Sequence, residues 1–495
     1  MYLTASKLYD YFQCPHKVWR DQHGPQEEKI QETNPFVELL WNKGVLHEQK
    51  IIATIGSYTD LSQGTLDERF RRTQEELNKG TQLIYQGVIR YENLLGIPDL
   101  IKRNEEGYYS PIDIKSGKGM EGVDDNEEED GKPKKHYAVQ LCHYNEILTR
   151  LGFNTLQKGF IIDISGREVE YNLASPVSSK GSESFIDLYR KVINEVSDLM
   201  QNKVNNKPAL AGSCKLCPWY NSCKKWVTEN EDLTKLFYLG RSKRDTINED
   251  LGITRVSQLI NVNVGTLLVR KKKEKGFLRG IGEGTLSDII RRADIMVNKQ
   301  QPEFRDFQLP DKPIELFFDI EDDPTQDFVY LHGIYQKNFP DEKYIPFIAI
   351  EHSEEGEKKT WAMFWDYIKS LPENGFAVYY YSPHEKSTYR ALQRKYPDVI
   401  SETDLAIFFD SPNWVDLYHI VLKNTDWPLS SYSLKDIATY LGFKWRDETP
   451  SGALSIQWYN QFLESKDQSV MNRILEYNED DCKATMVLKE RLISR

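Results

Sequence analysis

The spacing of apolar and polar positions changes character along the chain. From residue 1 to about 228, helical spacing gives way to alternating stretches, TQLIYQGVIRY from Thr81 and YYSPIDIKSG from Tyr108. It returns to helical spacing in HYAVQLCHYNEILTRLG, from His136. Alternation at every second residue predicts strands and recurrence at every third and fourth predicts a helix, so this stretch reads as a mixed α/β unit. From about Glu229 to Lys299 the pattern is wholly helical with short turns. Residues 300–313 carry Pro302, Pro310 and Pro313 and read as a linker. IELFFDIEDD, from Ile314, opens a new strand, after which strands and helices alternate to the C-terminus. The expected division is therefore an α/β unit at 1–228, a small all-α region at 229–300, a linker at 301–313 and a second α/β domain at 314–495. A chain of 495 residues is also too long for one core and matches about three units on length alone.

Composition narrows the class. Hydrophobic residues at 39% and charged residues at 28% describe a folded, water-soluble chain. No apolar run reaches the ~18 residues of a spanning helix. The start, MYLTASKLYDYFQCPHKVWRD, has no basic head followed by an apolar stretch, so a cytoplasmic protein without membrane contact is expected. The net charge of −12 runs against a nucleic-acid binder, but only weakly, because catalytic metal sites need clustered carboxylates and binding needs only local basic strips. Arg270-Lys271-Lys272-Lys273-Glu274-Lys275 is one such strip. The acidic run within Glu121 to Lys135 reads as a solvated loop. No P-loop sequence occurs, so no helicase motor is expected.

Six cysteines are too few for a disulfide framework in a chain this size. Cys214, Cys217 and Cys223 crowd together, with Cys14 far upstream. A C-x2-C pair plus two further thiolates suits tetrahedral zinc or an iron-sulfur cluster, and spacing alone leaves both open. Cys142 and Cys482 read as small buried apolar residues.

Two sets of polar residues carry candidate chemistry. In Ser110-Pro111-Ile112-Asp113-Ile114-Lys115, Asp113 and Lys115 share one face of a predicted strand. Such a pair can hold a hard divalent ion and orient or deprotonate a water. Asp99 can add a second carboxylate and His47 an imidazole from a helix. Gln140 and Tyr144 lie four apart, on one helical face. In the second set, Asp319 and Glu321 share a face of the strand from Ile314 and can bridge two ions. Tyr477 and Asp481 are four apart on an amphipathic helix whose stripe includes Ile474, Asn478, Thr485 and Leu488. That spacing favours Asp481 over Asp480.

These patterns resemble known nuclease families. The series His47, Asp99, Asp113, Lys115, followed by Gln140 and Tyr144, resembles the PD-(D/E)xK core of RecB-like nucleases over residues 1–228. The four cysteines look like those of their iron-sulfur members, including CRISPR-associated exonucleases and the nuclease domains of repair helicases. The resemblance implies a restriction-endonuclease-like α/β core, a [4Fe-4S] cluster on Cys14, Cys214, Cys217 and Cys223 in preference to zinc, and a Q-x3-Y pair near the substrate. Leu239-Gly240-Arg241 with Leu251-Gly252-Ile253-Thr254, and Gly280-Ile281-Gly282, resemble helix-hairpin-helix motifs, whose glycine turns open helices towards a phosphate. Asp319, Glu321, Tyr477 and Asp481 resemble the DEDDy-type exonucleases of RNase H-like fold, in which the tyrosine positions the attacking water and the carboxylates bind Mg2+ or Mn2+. The sequence departs from that family at the middle motif, where Tyr380-Tyr381-Ser382-Pro383-His384-Glu385 offers Glu385; Asp416 is a less favoured stand-in. The whole chain looks like RecB-family nucleases that carry a C-terminal RNase H-like domain. The resemblance implies a metal-dependent DNA nuclease acting on single strands or free ends in repair, CRISPR adaptation or defence, with helicase, CRISPR or repair proteins as partners. The alternatives are a 3′-5′ RNA exonuclease with a binding-only N-terminal domain, and a non-catalytic nucleic-acid adaptor.

Overall fold

A computed structural model describes the chain apart from residues 1, 32–33, 122–130, 154–156, 180, 205, 339–340 and 495. The acidic run expected as a loop thus lies almost wholly outside the described residues. Contacts divide the chain into two units, residues 1–208 with 212–224, and residues 209–211 with 225–495.

The first unit is built on a six-stranded mixed sheet. Its order is Glu168–Asn172, Lys158–Ile162, Tyr109–Ile114, Leu100–Arg103, Leu83–Tyr85 and Thr59–Asp60. Tyr109–Ile114 and Lys158–Ile162 run parallel, and the helix Lys135–Arg150 lies in the connection between them, as a parallel pair requires. Every residue of Tyr109–Ile114 is buried. Leu141, Tyr144, Ile147 and Leu148 of the connecting helix join the core with Ile84, Ile101 and Ile161 of the sheet. The alternating stretch from Thr81 holds two strands. Leu83–Tyr85 joins the large sheet, while Ile89–Tyr91 pairs with Leu94–Gly96 in a small second sheet. Gln86, with φ of 55°, breaks the extended backbone between them.

In the second unit, Arg241–Leu251, Val256–Leu259, Val264–Lys273 and Glu283–Asp294 are helices around a core of Leu233, Leu239, Ile247, Leu259, Leu278 and Leu286. Gly240 and Gly282 stand at the N-caps of two of them, neither with a side-chain cap. Arg270 is paired with Glu274, and Lys271 donates to the carbonyls of Phe277 and Leu278. Arg270, Lys272, Lys273 and Lys275 of the expected basic strip are exposed, Arg270 within its ion pair.

The same unit contains a five-stranded sheet in the order Asp341–Ile348, Phe328–Asn338, Ile314–Asp323, Phe376–Tyr380 and Trp414–Asp416. The first two pairings are antiparallel and the last two parallel. Leu316, Phe318 and Ile320 face one core with Trp361, Phe364 and Tyr389, and Phe317 faces another with Ile437, Cys482 and Leu488. The period of two thus places Asp319 and Glu321 on the face covered by the long helix Gln468–Ile493. Residues 301–313 pack within this unit. Glu303–Phe304 pairs with Thr425–Asp426, and Phe304, Phe307 and Leu309 rest on the core. Arg291, Arg292 and Arg305 converge on buried Asp426, joining the helical stretch to the sheet domain.

Candidate active sites

Asp113 is the penultimate residue of the buried strand Tyr109–Ile114, and Lys115 follows the strand, with Nζ 2.9 Å from Asp113 Oδ2. Asp99 immediately precedes the antiparallel neighbour Leu100–Arg103, in which Leu100 sits opposite Ile112. Its Oδ2 accepts from Ile114 N at 2.7 Å, and its own N donates to Asp113 Oδ1 at 3.4 Å. Burial, then the neighbouring charge of Asp113, raises the Asp99 carboxyl well above the ordinary range. Burial alone would lower the Lys115 ammonium, but Asp113 and Asp99 outweigh it and hold it above its usual value. Gln140 Nε2 donates to the Tyr144 hydroxyl at 3.0 Å, and the buried phenol feels the charges of Asp113 and Asp99. Gly96 permits this packing, because a Cβ there would stand 2.6 Å from the Tyr144 ring. A cavity of about 520 Å³ opens onto Lys115, Gln140 and Tyr144, with Tyr9, Tyr137 and Ile97 among its walls.

His47 lies on the helix Pro35–Thr54, with Nε2 3.1 Å from the Asp163 carbonyl oxygen. Its neighbour Glu48, which the sequence reading missed, accepts from Tyr85 Oη at 2.9 Å and from Gln86 Nε2 at 2.8 Å. The same Gln86 amide donates to Asp99 Oδ1 at 3.1 Å, so Glu48 is the helix carboxylate bound into this site. Successive helical residues point about 100° apart, and sequence spacing could not tell which of the two faces the sheet.

Cys14 lies between the helices Ala5–Gln13 and Pro15–His23, Cys214 in the short turn Gly212–Leu216, and Cys223 in Tyr220–Glu229. Like Cys217, they are partly buried. They share one neighbourhood: burial pushes the Cys223 thiol up to about 12, and Cys217, Cys14 and Cys214 all add to that shift. Cys142 and Cys482 are buried in the two cores.

Among the described residues, one group of three or more acidic, histidine or cysteine ligands has its ligand atoms all within 4.8 Å of one another: Asp319, Glu321 and Asp481. Neither the four cysteines nor His47, Asp99 and Asp113 are drawn together so closely. Asn478 Nδ2 donates to Asp319 Oδ2 at 2.8 Å, and Trp445 Nε1 to Asp481 Oδ1 at 2.7 Å. Asp480 is turned away into an ion pair with Arg446 at 2.8 Å. Burial, then Asp481, raises Asp319 well above the carboxylate range and pushes Glu321 up to about 8. Asp481 is also raised by burial, against the opposing effects of Lys435, Trp445 and Tyr477.

The middle motif enters from the helix Pro383–Lys395, which begins just after the strand Phe376–Tyr380. Glu385 is buried, its Oε2 has no hydrogen-bond partner among the described residues, and its charge acts on Asp319. Burial pushes the Glu385 carboxyl up to about 8. Asp416 is used differently: it caps the helix Leu417–Asn424, accepting from Tyr418 N at 2.9 Å and His419 N at 3.3 Å. Tyr477 is buried beside the cluster, and burial with the charges of Asp481, Glu321 and Asp319 raises its phenol well above the ordinary value. Lys435, on the helix Leu434–Tyr440, donates to the Tyr477 hydroxyl at 2.9 Å. Sequence spacing assigns Lys435 no role.

Gly333 sits opposite Asp319 in the antiparallel pair, and a Cβ there would overlap Asn478 Oδ1. The long helix therefore rests directly on strand backbone at this point.

No curated protein matches the chain significantly. A solved structure titled "Crystal structure of SSO0001" is similar at 16% identity over 38% of this chain and 97% of its own, with a TM-score of 0.19. No helix among the described residues is long and apolar enough to cross a membrane. Residues 316–493 match the family model RNase_H_2, described as "RNase_H superfamily", and the C-terminal sheet with its carboxylate cluster is an RNase H-like domain.

Proposed function

We propose that the chain is a metal-dependent nuclease with two active sites, a C-terminal DEDDy-type exonuclease and an N-terminal RecB-like site, acting on DNA with single strands or free ends. One observation carries this reading: three carboxylates converge within 4.8 Å inside a domain that matches the RNase H superfamily. Buried carboxylates this close repel one another, and divalent cations such as Mg2+ or Mn2+ are the partners that relieve the repulsion. The donor set is all oxygen, as those ions prefer. Asp319, Glu321 and Asp481 would hold the metal, with Glu385 completing the set through its unpartnered oxygen. The metal supplies charge stabilisation for in-line displacement at phosphorus. Asn478 and Trp445 fix the two carboxylates they donate to. Tyr477, neutral across the working pH range, orients the attacking water through its hydroxyl.

In the N-terminal site, Asp99 and Asp113 would bind a divalent ion, with His47 or Glu48 from the adjoining helix. Lys115 orients or deprotonates the water, and Gln140 and Tyr144 face the substrate cavity. The exposed lysines and glycine-capped helices of the central stretch suit contact with phosphates. The shared neighbourhood of Cys14, Cys214, Cys217 and Cys223 fits a soft-metal centre, which we assign as a [4Fe-4S] cluster. Repair, CRISPR adaptation or defence, alongside a helicase or CRISPR proteins, are the settings we assign to such a nuclease.

The test is hydrolysis of end-labelled single-stranded DNA and RNA with Mg2+ or Mn2+, with and without chelator. DNA cleavage abolished by chelator is expected. Cleavage of RNA alone would replace the DNA reading, and tight binding without cleavage of either would identify an adaptor. Protein purified without oxygen should carry about four irons per chain; stoichiometric zinc without iron would overturn the cluster assignment.

A further inference from the structure

We infer that Lys435 is a positioning residue of the C-terminal site, acting through the Tyr477 hydroxyl; the inference rests on the nuclease reading of that site. Its Nζ donates to Tyr477 Oη at 2.9 Å and to the Pro450 carbonyl at 2.8 Å, and lies 4.8 Å from the centre of the Tyr477 ring. The ammonium is thus fixed at one end by a backbone oxygen and aimed at the phenol at the other.

A phenol oxygen has one proton to donate and lone pairs that accept. With Lys435 donating into one lone pair, the Tyr477 proton points away from Lys435. Without Lys435 the hydroxyl could rotate and offer a lone pair where a donor is needed. Lys435 is also the cation felt by all three clustered carboxylates. It does this from beside Tyr477 while making no ion pair within 4.0 Å with any of them. The cluster itself stays open for divalent ions, while the residue beside it is locked.

The experiment uses the full chain and follows the metal-dependent hydrolysis that Asp481→Asn removes. Lys435→Met should lower kcat about tenfold or more with KM changed by less than about twofold, the signature of lost orientation. Lys435→Arg, which keeps charge and donor, should recover most of the rate. In the Tyr477→Phe background Lys435→Met should add almost nothing, because its target hydroxyl is gone. If the two losses instead multiply, Lys435 acts independently of Tyr477 and the inference is wrong. A second readout does not need turnover. In protein labelled with 13Cζ tyrosine, the resonance absent from Tyr477→Phe should move in Lys435→Met and return in Lys435→Arg. An unmoved resonance would overturn the contact even if the chain proved inactive, whereas unchanged hydrolysis in Asp481→Asn would overturn the nuclease reading and leave the contact to be judged by the spectrum.

Discussion

The N-terminal and C-terminal carboxylate groups face the same difficulty, negative charge in a buried place, and meet it differently. In the N-terminal unit the chain supplies its own cation: Lys115 lies 2.9 Å from Asp113, and both belong to one short stretch of backbone. In the RNase H-like domain Asp319, Glu321 and Asp481 crowd within 4.8 Å, and Lys435, the lysine whose charge acts on them, hydrogen-bonds to Tyr477 and a carbonyl instead. The first arrangement is compensated in advance and can keep its shape without an ion. The second has Lys435 acting on it without a direct ion pair, so its protonation and its occupancy by divalent cations must be coupled. The comparison teaches that the C-terminal acids depend on a bound cation for their arrangement more than the N-terminal acids do.

The sharpest test of this difference is Asp481→Asn. On the proposed reading, the loss of one of three metal ligands should lower the C-terminal activity by about three orders of magnitude, measured as release of 3′-terminal nucleotides. A loss below tenfold would mean that the cluster is not the reacting centre. Lys115→Ala should remove the N-terminal activity and leave C-terminal products measurable on the same gel. If every product on every substrate vanished, the two sites would not be independent.

Glu385→Gln should cost about a hundredfold if that buried carboxylate is a ligand, whereas Glu385→Asp should preserve or raise the rate. Asp416→Asn should leave the rate near wild type, since Asn also caps helices and the stability change should stay below about 1 kcal/mol. Full activity in Glu385→Gln with loss in Asp416→Asn would exchange the two. Tyr477→Phe should be milder, about tenfold in kcat, because the ligands remain and only the water is misplaced.

The smallest effect concerns pH. Glu321 and Glu385 are pushed up to about 8 from an ordinary value of 4.5, so between these limits the folded, metal-free protein keeps protons that the unfolded chain has released. Their contribution to stability therefore falls as pH rises from about 4.5 to about 8. A divalent ion replaces those protons, and the rise in melting temperature on adding Mg2+ should be larger at pH 8 than at pH 6. An equal rise at both would show that these carboxylates do not meet the ion.

Strand and helix periods were legible where a single rule governed them. Ile314–Asp323 and the helical face holding Ile474, Tyr477, Asn478 and Asp481 follow directly from spacing, because one side of each must be buried. Glu48 was not legible beside His47, since both fit a helix and only the sheet's position distinguishes them. Nor was Lys435, whose partner Tyr477 lies more than forty residues away and whose role depends on a backbone carbonyl at Pro450. The packing of residues 301–313 was hidden by three prolines that signal breaks, although Phe304, Phe307 and Leu309 between them had to be buried somewhere. Sequence spacing shows which residues share a face; it does not show what comes to cover that face.

Gly333 shows how much can rest on a missing atom. Because it has no side chain, Asn478 can lie against the strand while donating to Asp319, and the helix that carries Asn478 also carries Asp481 three residues on. The glycine therefore works as a spacer of zero thickness between strand and helix. The separation of Asp319 from Asp481 is set at a position bearing neither acid nor base, where a single added methyl group would widen the gap between the carboxylates without altering one of them.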